Sequence, residues 1–115
     1  MVALQVKSLG QPDRRTTFLD DSERVVVTLP GGSTIGHGTY EPGWRWSAHA
    51  QPLTGKDSQD HLGLVISGRM CVRARDGAEV VVGADDVFFA AAGSDAWVVG
   101  DEPCVALDFA ASPPD

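Results

Sequence analysis

Apolar and polar residues alternate in short runs along most of the chain, and Gly, Pro and Asp residues separate the runs. A period of two is typical of strands with one buried face, whereas few stretches show the helical period. The runs predicted as strands are residues 24–29, 33–40, 44–46, 62–67, 69–75, 78–82, 86–91, 95–99 and 103–110. About nine short strands at this spacing predict an all-β sandwich or barrel.

Two turn signals predict how neighbouring strands connect. Ser67-Gly68 predicts a tight turn across which residues 69–75 pair back onto residues 62–67, and Asp76-Gly77 is a strong hairpin signal. The polar residues 50–60 are rich in turn formers and are predicted to form a surface loop.

The length of 115 residues predicts one domain, residues 1–115, with its core between residues 24 and 110. The first twenty residues are less patterned, and residues 111–115 are predicted to be a tail. A chain of this size buries enough surface to be stable without disulfides. Cys71 and Cys104 lie in apolar strands and are predicted to be buried reduced thiols.

The charge balance limits the partners that the protein can have. The formal net charge is −7 and the pI is about 4.7, which argues against nucleic acid and anionic membranes as partners because both require a basic surface. No apolar run approaches the length of a transmembrane helix, and no leader pattern is present, so we expect a cytoplasmic protein.

Residues 83–97 read as strand, Gly-Asp turn, strand, tight Gly turn and strand, and they resemble the second sequence motif of the cupins. The residues that carry the resemblance are Gly83, Asp86, Gly93 and Trp97 in this motif, and Gly43, His49, His61 and Gly68 in the first motif. An eleven-residue gap between His49 and His61 replaces the usual short spacing. More narrowly, the chain is similar to small single-domain bacterial cupins of largely undetermined activity.

The resemblance implies a jelly-roll β-barrel, also called a double-stranded β-helix, and a homodimer formed by a strand edge or a sheet face. It fixes function poorly, because this barrel hosts many chemistries. The chain also departs from the motif at one place. Ser94, after Ala91-Ala92-Gly93, stands where a metal-binding His is expected after Pro-Pro-Gly.

One function that the resemblance implies is metal-dependent catalysis. Cupin metals are typically held by three His and one carboxylate, and imidazole suits Fe, Mn, Ni, Cu or Zn. His61 shares a strand face with Val65, so it points into the lumen if Val65 is core. His49 and His61, completed by Asp95, are the predicted ligands, with Asp60 and Gln59 as alternatives to Asp95. Such a site would support dioxygenase, lyase or isomerase chemistry.

The alternative is a metal-free lumen that binds a small planar or hydrophobic molecule. The predicted lining residues are Trp44, Trp46, Met70, Phe88, Ser94 and Trp97, with Phe89 as a further candidate. His61 and His49 would then be catalytic residues, with His61 as the general acid or base of an isomerase or cyclase. A binding protein without chemistry and a structural role for the aromatic residues stay open, so the sequence does not decide whether the protein is an enzyme.

Overall fold

The computed structural model describes residues 3–110, and nine β-strands make up nearly half of this range. The strands are β1 Arg14–Thr17, β2 Glu23–Thr28, β3 Thr34–Tyr40, β4 His61–Ser67, β5 Arg69–Arg73, β6 Glu79–Gly83, β7 Val87–Ala90, β8 Asp95–Val98 and β9 Cys104–Ala110. The predicted strands at residues 24–29, 33–40, 62–67, 78–82, 86–91, 95–99 and 103–110 are confirmed to within a residue or so at each end.

The strands form two antiparallel sheets that face each other. The large sheet has six strands in the order β1-β2-β3-β9-β4-β7, and the small sheet has the order β6-β5-β8. An isolated bridge between Arg45 and Trp97 extends the small sheet beyond β8. The all-β class predicted from the alternation is therefore confirmed.

The segment between β3 and β4 differs from the prediction. Within the predicted strand 44–46 only Arg45 pairs, and a π-helical turn, Trp46–Ala50, follows it. A short helix, α1 Gln51–Thr54, then occupies the first part of the predicted loop 50–60. The alternation predicted a strand here because Trp44 and Trp46 both point inward and Arg45 between them has an extended backbone. None of the helices in residues 3–110 has the length and apolar character to cross a bilayer.

Two other predictions also need correction. Strand β1 was missed because RRTT contains no apolar residue, and it is a strand only through its pairing with β2. The predicted pairing of residues 69–75 with residues 62–67 is wrong. Strand β4 pairs with β7 and β9, whereas β5 pairs with β6 and β8, so the chain changes sheets between them.

Gly68 is the single residue between β4 and β5, and the change of sheet requires a glycine there. Its φ is +75°, in the left-handed region, and a Cβ at this position would overlap the Pro103 carbonyl oxygen and lie 2.7 Å from Cα of Cys104. Both neighbours are backbone atoms at the start of β9, so neither can move aside cheaply.

The core lies between the sheets and is built from alternate residues of each strand. Its largest members are Tyr40, Trp44 and Met70, and its most buried ones are Val65 and Cys104. The two cysteines are buried free thiols, as predicted, and burial raises the pKa of the Cys104 thiol to about 11. The thiol at this site therefore stays protonated at neutral pH.

We expect Gly68→Ala to lower the free energy of unfolding by about 2–5 kcal/mol, because the left-handed backbone costs about 1–2 kcal/mol and overpacking adds about 1–3 kcal/mol. Gly77→Ala is the matched control, since its φ is +94° and a Cβ there would meet no atom within 4 Å. Gly77→Ala should lower the free energy of unfolding only by the backbone contribution of about 1–2 kcal/mol. Urea unfolding of the two variants measures the difference, and equal losses would contradict the close approach at Gly68.

Candidate functional site

A cavity of about 530 Å³ lies between the inner faces of the two sheets. This volume is within the range of small-molecule pockets. Both sheets and the segment between β3 and β4 contribute to its wall. Its lining includes Arg14, Phe18, Arg24, Tyr40, Trp44, Trp46, Lys56, Asp57, Ser58, Gln59, His61, Met70, Val72, Phe88, Ala90, Ser94, Asp95, Ala96, Ala106 and Asp108.

Most of the wall is apolar and much of it is aromatic. Phe18, Tyr40 and Trp44 form one cluster, in which the Tyr40 and Trp44 ring centroids are 4.4 Å apart and Phe18 meets Trp44 edge to face at 5.6 Å. Phe88 of β7 forms a separate part of the wall, and its ring lies over Gly63 of β4, where a Cβ would come within 2.6 Å of it. The wall therefore offers flat apolar surfaces on more than one side.

An ion pair between a buried carboxylate and a partly buried guanidinium is the polar centre of this wall. Arg24 of β2 donates from Nε to Asp108 Oδ2 at 2.8 Å and from Nη2 to Oδ1 at 2.5 Å. Strand β3 lies between their strands, and Gly36 makes the approach possible because a Cβ there would be 2.5 Å from the carboxylate. The two hydrogen bonds raise the pKa of the Arg24 guanidinium, so this group stays charged at neutral pH.

The Tyr40 side chain lies beside this pair on the inner face of β3. Its ring covers Gly38, where a Cβ would overlap the phenol carbon and hydroxyl. Burial raises the pKa of the Tyr40 phenol well above its usual value, and the Asp108 carboxylate acts in the same direction. The hydroxyl is therefore neutral and able to donate. Gly36 and Gly38 thus share the inner face of β3 and leave room for neighbouring side chains.

His61 lines the cavity from the first position of β4, on the same face as the fully buried Val65. Its ring stacks on Phe88 with 6.0 Å between centroids and 25° between planes. Burial lowers the pKa of His61, and this effect outweighs the Asp108 carboxylate, which raises it. At neutral pH the imidazole is therefore uncharged and holds one lone pair.

The other predicted catalytic histidine, His49, is not among the residues that line the cavity. Its Nδ1 accepts a hydrogen bond from the backbone N–H of Arg45 at 2.9 Å. The backbone N–H of His49 in turn donates to the Arg45 carbonyl at 2.9 Å. In this tautomer the proton is on Nε2, so neither ring nitrogen offers a lone pair. His49 closes the π-helical turn, and the structure does not bring it to His61.

Asp95, the predicted carboxylate ligand, lines the cavity but is engaged by its neighbours. Oδ2 accepts from Arg45 Nε at 2.9 Å and from Ser47 Oγ at 2.7 Å, and Oδ1 accepts from the Ser47 and Ala96 backbone N–H groups. These hydrogen bonds outweigh desolvation and lower the pKa of Asp95. The carboxylate therefore holds the π-helical turn against β8.

Five of the six predicted lining residues, Trp44, Trp46, Met70, Phe88 and Ser94, do line the cavity, and Trp97 does not. Trp97 is paired with Cys71 on the other face of the small sheet, where the Arg45 guanidinium lies 4.4 Å from its ring centroid. This geometry is a cation–π contact. Trp97 therefore supports the turn from outside.

The turn at residues 91–94, where cupins place a metal-binding His, is held by hydrogen bonds to other residues of the chain. Ser94 Oγ donates to the Ala91 carbonyl at 2.7 Å, and Ser58 Oγ donates to the Ser94 carbonyl at 2.7 Å. Asp60, an alternative ligand in the sequence analysis, accepts the Ala92 N–H at 2.8 Å. The other alternative, Gln59, lines the cavity.

These positions do not fit a cupin metal. Within residues 3–110 no group of three or more His, Cys, Asp or Glu side chains converges on one point. Of His49, His61 and Asp95, only His61 presents an available donor atom to the cavity, since His49 and Asp95 are bound to Arg45.

Arginine side chains neutralise the negative charge of the carboxylates that line the cavity. Asp57 pairs with Arg75, Asp95 with Arg45 and Asp108 with Arg24. By contrast, the lining cations Arg14 and Lys56 make no ion pair with any residue between positions 3 and 110. The uncompensated charge of the cavity is thus positive, although the protein is acidic.

The sequence analysis missed Arg24, Tyr40 and Asp108. One signal was available, because Asp108 interrupts the otherwise apolar strand CVALDFA at a position that shares a face with Cys104 and Ala106. A charged residue on a core face requires a buried partner. The identity of that partner depends on the strand order and could not be read from the sequence.

No family model matches the chain, and no curated protein matches it either. Solved structures do match. A cupin-like protein from Thermotoga maritima is 14% identical, with a TM-score of 0.63 over 96% of this chain and 81% of that one. A conserved protein with a double-stranded β-helix domain from Klebsiella pneumoniae is 19% identical, with a TM-score of 0.61 over 94% and 90%.

A third match is a cupin-2 domain protein from Shewanella frigidimarina, which is 12% identical with a TM-score of 0.55 over 77% of this chain and 79% of that one. Identities this low establish the fold alone. The architecture expected from the sequence motifs is confirmed: the chain has the double-stranded β-helix fold of the small cupins.

Proposed function

We propose that the protein binds a small organic molecule in the cavity between its sheets without a metal ion, and that His61 is the acid–base group of the site. The observation that carries this proposal is the uncharged imidazole of His61 on the wall of a 530 Å³ cavity that is otherwise mainly aromatic and aliphatic. The metal-dependent alternative has weaker support, because His49 and Asp95 are held by Arg45.

The lining restricts the chemistry of the ligand. Phe88 and the cluster around Trp44 favour a flat apolar body, since aromatic faces gain most from flat partners. The polar groups that face it are mainly donors, namely the Tyr40 hydroxyl and the Arg24 guanidinium. Arg14 and Lys56 add positive charge. A ligand whose polar end carries acceptor oxygens, such as a carbonyl or a carboxylate, fits this set.

The same groups define what chemistry the site could perform. An uncharged His61 can accept a proton from a carbon or hydroxyl of the ligand and return it to another atom, which is what an isomerase or cyclase requires. The Tyr40 hydroxyl and the fixed Arg24 guanidinium would stabilise negative charge that develops on an acceptor oxygen. Asp108 would act as a positioning residue, because it holds Arg24 in place.

Filling the cavity should abolish binding of a planar organic anion. We use 2-naphthoate as the probe and Ala90→Trp as the filling variant, because Ala90 lines the cavity from β7. Isothermal titration should show binding to the wild type and at least about tenfold weaker binding to the variant, a difference of about 1.4 kcal/mol. Uncharged 2-naphthamide should bind less tightly than 2-naphthoate.

Phe89→Trp is the matched control, since Phe89 is the neighbouring residue of the same strand on the outer face. Ala96→Phe, which fills the cavity from the small sheet, replaces Ala90→Trp if that variant does not fold. Equal weakening in Phe89→Trp, or no binding of either probe to the wild type, would contradict a ligand site between the sheets.

The protonation of His61 should appear in the pH dependence of stability. Because burial lowers its pKa below the ordinary value of 6.5, the folded protein binds fewer protons than the unfolded chain once the pH falls below that value. This contribution to stability is therefore complete above about pH 6.5 and is lost as the pH falls towards the folded-state pKa. His61→Gln should reduce the loss of unfolding free energy between about pH 7.5 and about pH 5.5.

His49→Gln and His37→Gln are the controls, because neither residue lines the cavity. A pH dependence that is unchanged in His61→Gln would show that the imidazole is not desolvated by the cavity.

Elemental analysis decides between the proposal and the metal-dependent alternative. We expect protein purified without a His-tag or chelator to contain no stoichiometric Fe, Mn, Ni, Cu or Zn. Near-stoichiometric metal that is lost in His61→Ala would overturn the metal-free proposal.

A further inference from the structure

The Trp44 side chain contains a buried hydrogen-bond donor that has no acceptor. Trp44 is 3% exposed, and in the part of the chain from residue 3 to residue 110 its Nε1 is the one fully buried side-chain nitrogen or oxygen without a hydrogen-bond partner. The buried side chains of Ser22, Ser94 and Asp108, by contrast, are all hydrogen-bonded. The exception is a residue that lines the cavity.

Neighbouring groups hold the Trp44 indole in place. The backbone N–H of Trp44 donates to the Glu41 carbonyl at 3.0 Å, and the Trp44 carbonyl accepts from the Val98 N–H at 3.0 Å. The indole also packs against the rings of Phe18 and Tyr40. Because the backbone and the ring are both fixed, the indole N–H cannot turn towards bulk water without disrupting this aromatic cluster.

An unpaired N–H among apolar groups is unfavourable, because it loses its hydrogen bonds to water and gains none in return. A phenylalanine at position 44 would supply a flat apolar ring without this cost. Native proteins bond nearly all of their buried donors, and an exception indicates a bound water, an ion or a ligand. Because Trp44 borders a cavity large enough for a small molecule, a ligand acceptor is the partner that fits its position.

We propose that the Trp44 indole N–H donates a hydrogen bond to the ligand of the cavity, and that this ligand is a planar aromatic acid with a second, uncharged acceptor oxygen on its ring. This inference rests on the proposed function and adds a specificity-determining residue to it. A single neutral N–H satisfies a carbonyl or ether oxygen, but it cannot balance the charge of a buried carboxylate. The carboxylate of the ligand belongs instead with Arg14 and Lys56, the lining cations that make no ion pair within residues 3–110.

The indole N–H is already separated from water in the protein without a ligand, because Nε1 is shielded from solvent. An acceptor that binds there forms a hydrogen bond without first removing water from the donor, so the gain exceeds that of an ordinary exchange with solvent. A ligand that lacks the acceptor leaves the donor unpaired. We therefore expect the site to prefer the oxygen-bearing ligand, even over a more apolar one of the same shape.

Two probes of matched shape test the proposal. 6-Methoxy-2-naphthoate and 6-ethyl-2-naphthoate share the ring and the carboxylate, and they differ in one ether oxygen that replaces a methylene group. We expect isothermal titration to show about tenfold tighter binding of the methoxy probe to the wild type. The ethyl probe is the more apolar of the two, so hydrophobic burial alone would give the opposite order.

Trp44→Phe removes the N–H and keeps an aromatic ring, so the preference for the methoxy probe should be lost in this variant. Trp46→Phe is the matched control, because it makes the same change at another tryptophan of the cavity wall. The Trp46 nitrogen is not a buried unpaired donor, so Trp46→Phe should keep the preference even if both probes bind less tightly.

The indole proton gives a second readout, which does not depend on whether Trp44→Phe folds. The chain has three tryptophans, Trp44, Trp46 and Trp97, and each gives one indole N–H signal in the NMR spectrum of an isotope-labelled sample. Trp46→Phe and Trp97→Phe identify the Trp44 signal by elimination. We expect the methoxy probe to move this signal downfield relative to the ethyl probe, because a hydrogen bond deshields the proton.

The inference is wrong if both probes bind the wild type equally well, or if the preference persists in Trp44→Phe. It is also wrong if the Trp44 indole proton still exchanges magnetisation with a bound water when the methoxy probe is present, since that water would then be its partner. An indole signal that stays shielded in the complex would assign the N–H to the ring of Phe18. In these cases the probes still bind, so the proposed function stands. Failure of the proposed function is a different result, in which neither these probes nor 2-naphthoate binds the wild type.

Discussion

The ion pair between Arg24 and Asp108 is the interaction on which the interior of this protein depends. It joins two strands across a third and occupies space that β3 leaves by having Gly36 at the crossing point. A buried pair of this kind adds little net stability, because desolvation of two charges offsets their attraction. Removing one partner, however, leaves an uncompensated charge between the sheets. The pair therefore specifies how β2, β3 and β9 are aligned more than it strengthens the fold.

The ion pair between Arg24 and Asp108 also gives one wall of the cavity its polar groups. A double-stranded β-helix of this size could fill its interior with aliphatic side chains. Here the inner face of the large sheet instead carries a guanidinium, a phenol and an imidazole, and Phe88 and Trp44 cover the remaining wall. Because these groups are surrounded by apolar residues, their charges and hydrogen bonds act with little screening by water. In this wall an arginine and a tyrosine provide the hydrogen-bond donors beside the imidazole.

Much of the fold could be predicted from the alternation of residues and from short motifs, because one residue in two must face the core of a strand. The face of His61 followed from its spacing to Val65, and the shared face of Trp44 and Trp46 followed from the same period. The predictions that were wrong or missing concern strand pairing, which depends on the whole sheet. Strand β1 exists only through its partner, and the pairing of β4 with β5 was wrong because a tight glycine turn does not reveal whether the chain stays in one sheet.

The candidate site was harder to predict because its decisive contacts join residues that are far apart in the sequence. Arg24 and Asp108 are 84 residues apart. His49 was assigned to the site on its motif position, but whether an imidazole faces the lumen or closes its own turn depends on one backbone hydrogen bond that spacing does not encode. Trp97 was misplaced for the same reason, since its face depends on the register of β8 with β5.

The direct step from β4 to β5 also makes the two ends of the sandwich different from each other. Gly68 joins the two sheets with no intervening loop, so that end of the sandwich is fixed by the covalent chain. His61 lies at the other end of β4, about 20 Å away for six strand steps. There the wall is formed by residues 54 and 56–59, which belong to no strand. The two ends of the sandwich are thus built differently: a direct strand-to-strand connection closes one, and residues outside the strands form the wall at the other, beside His61.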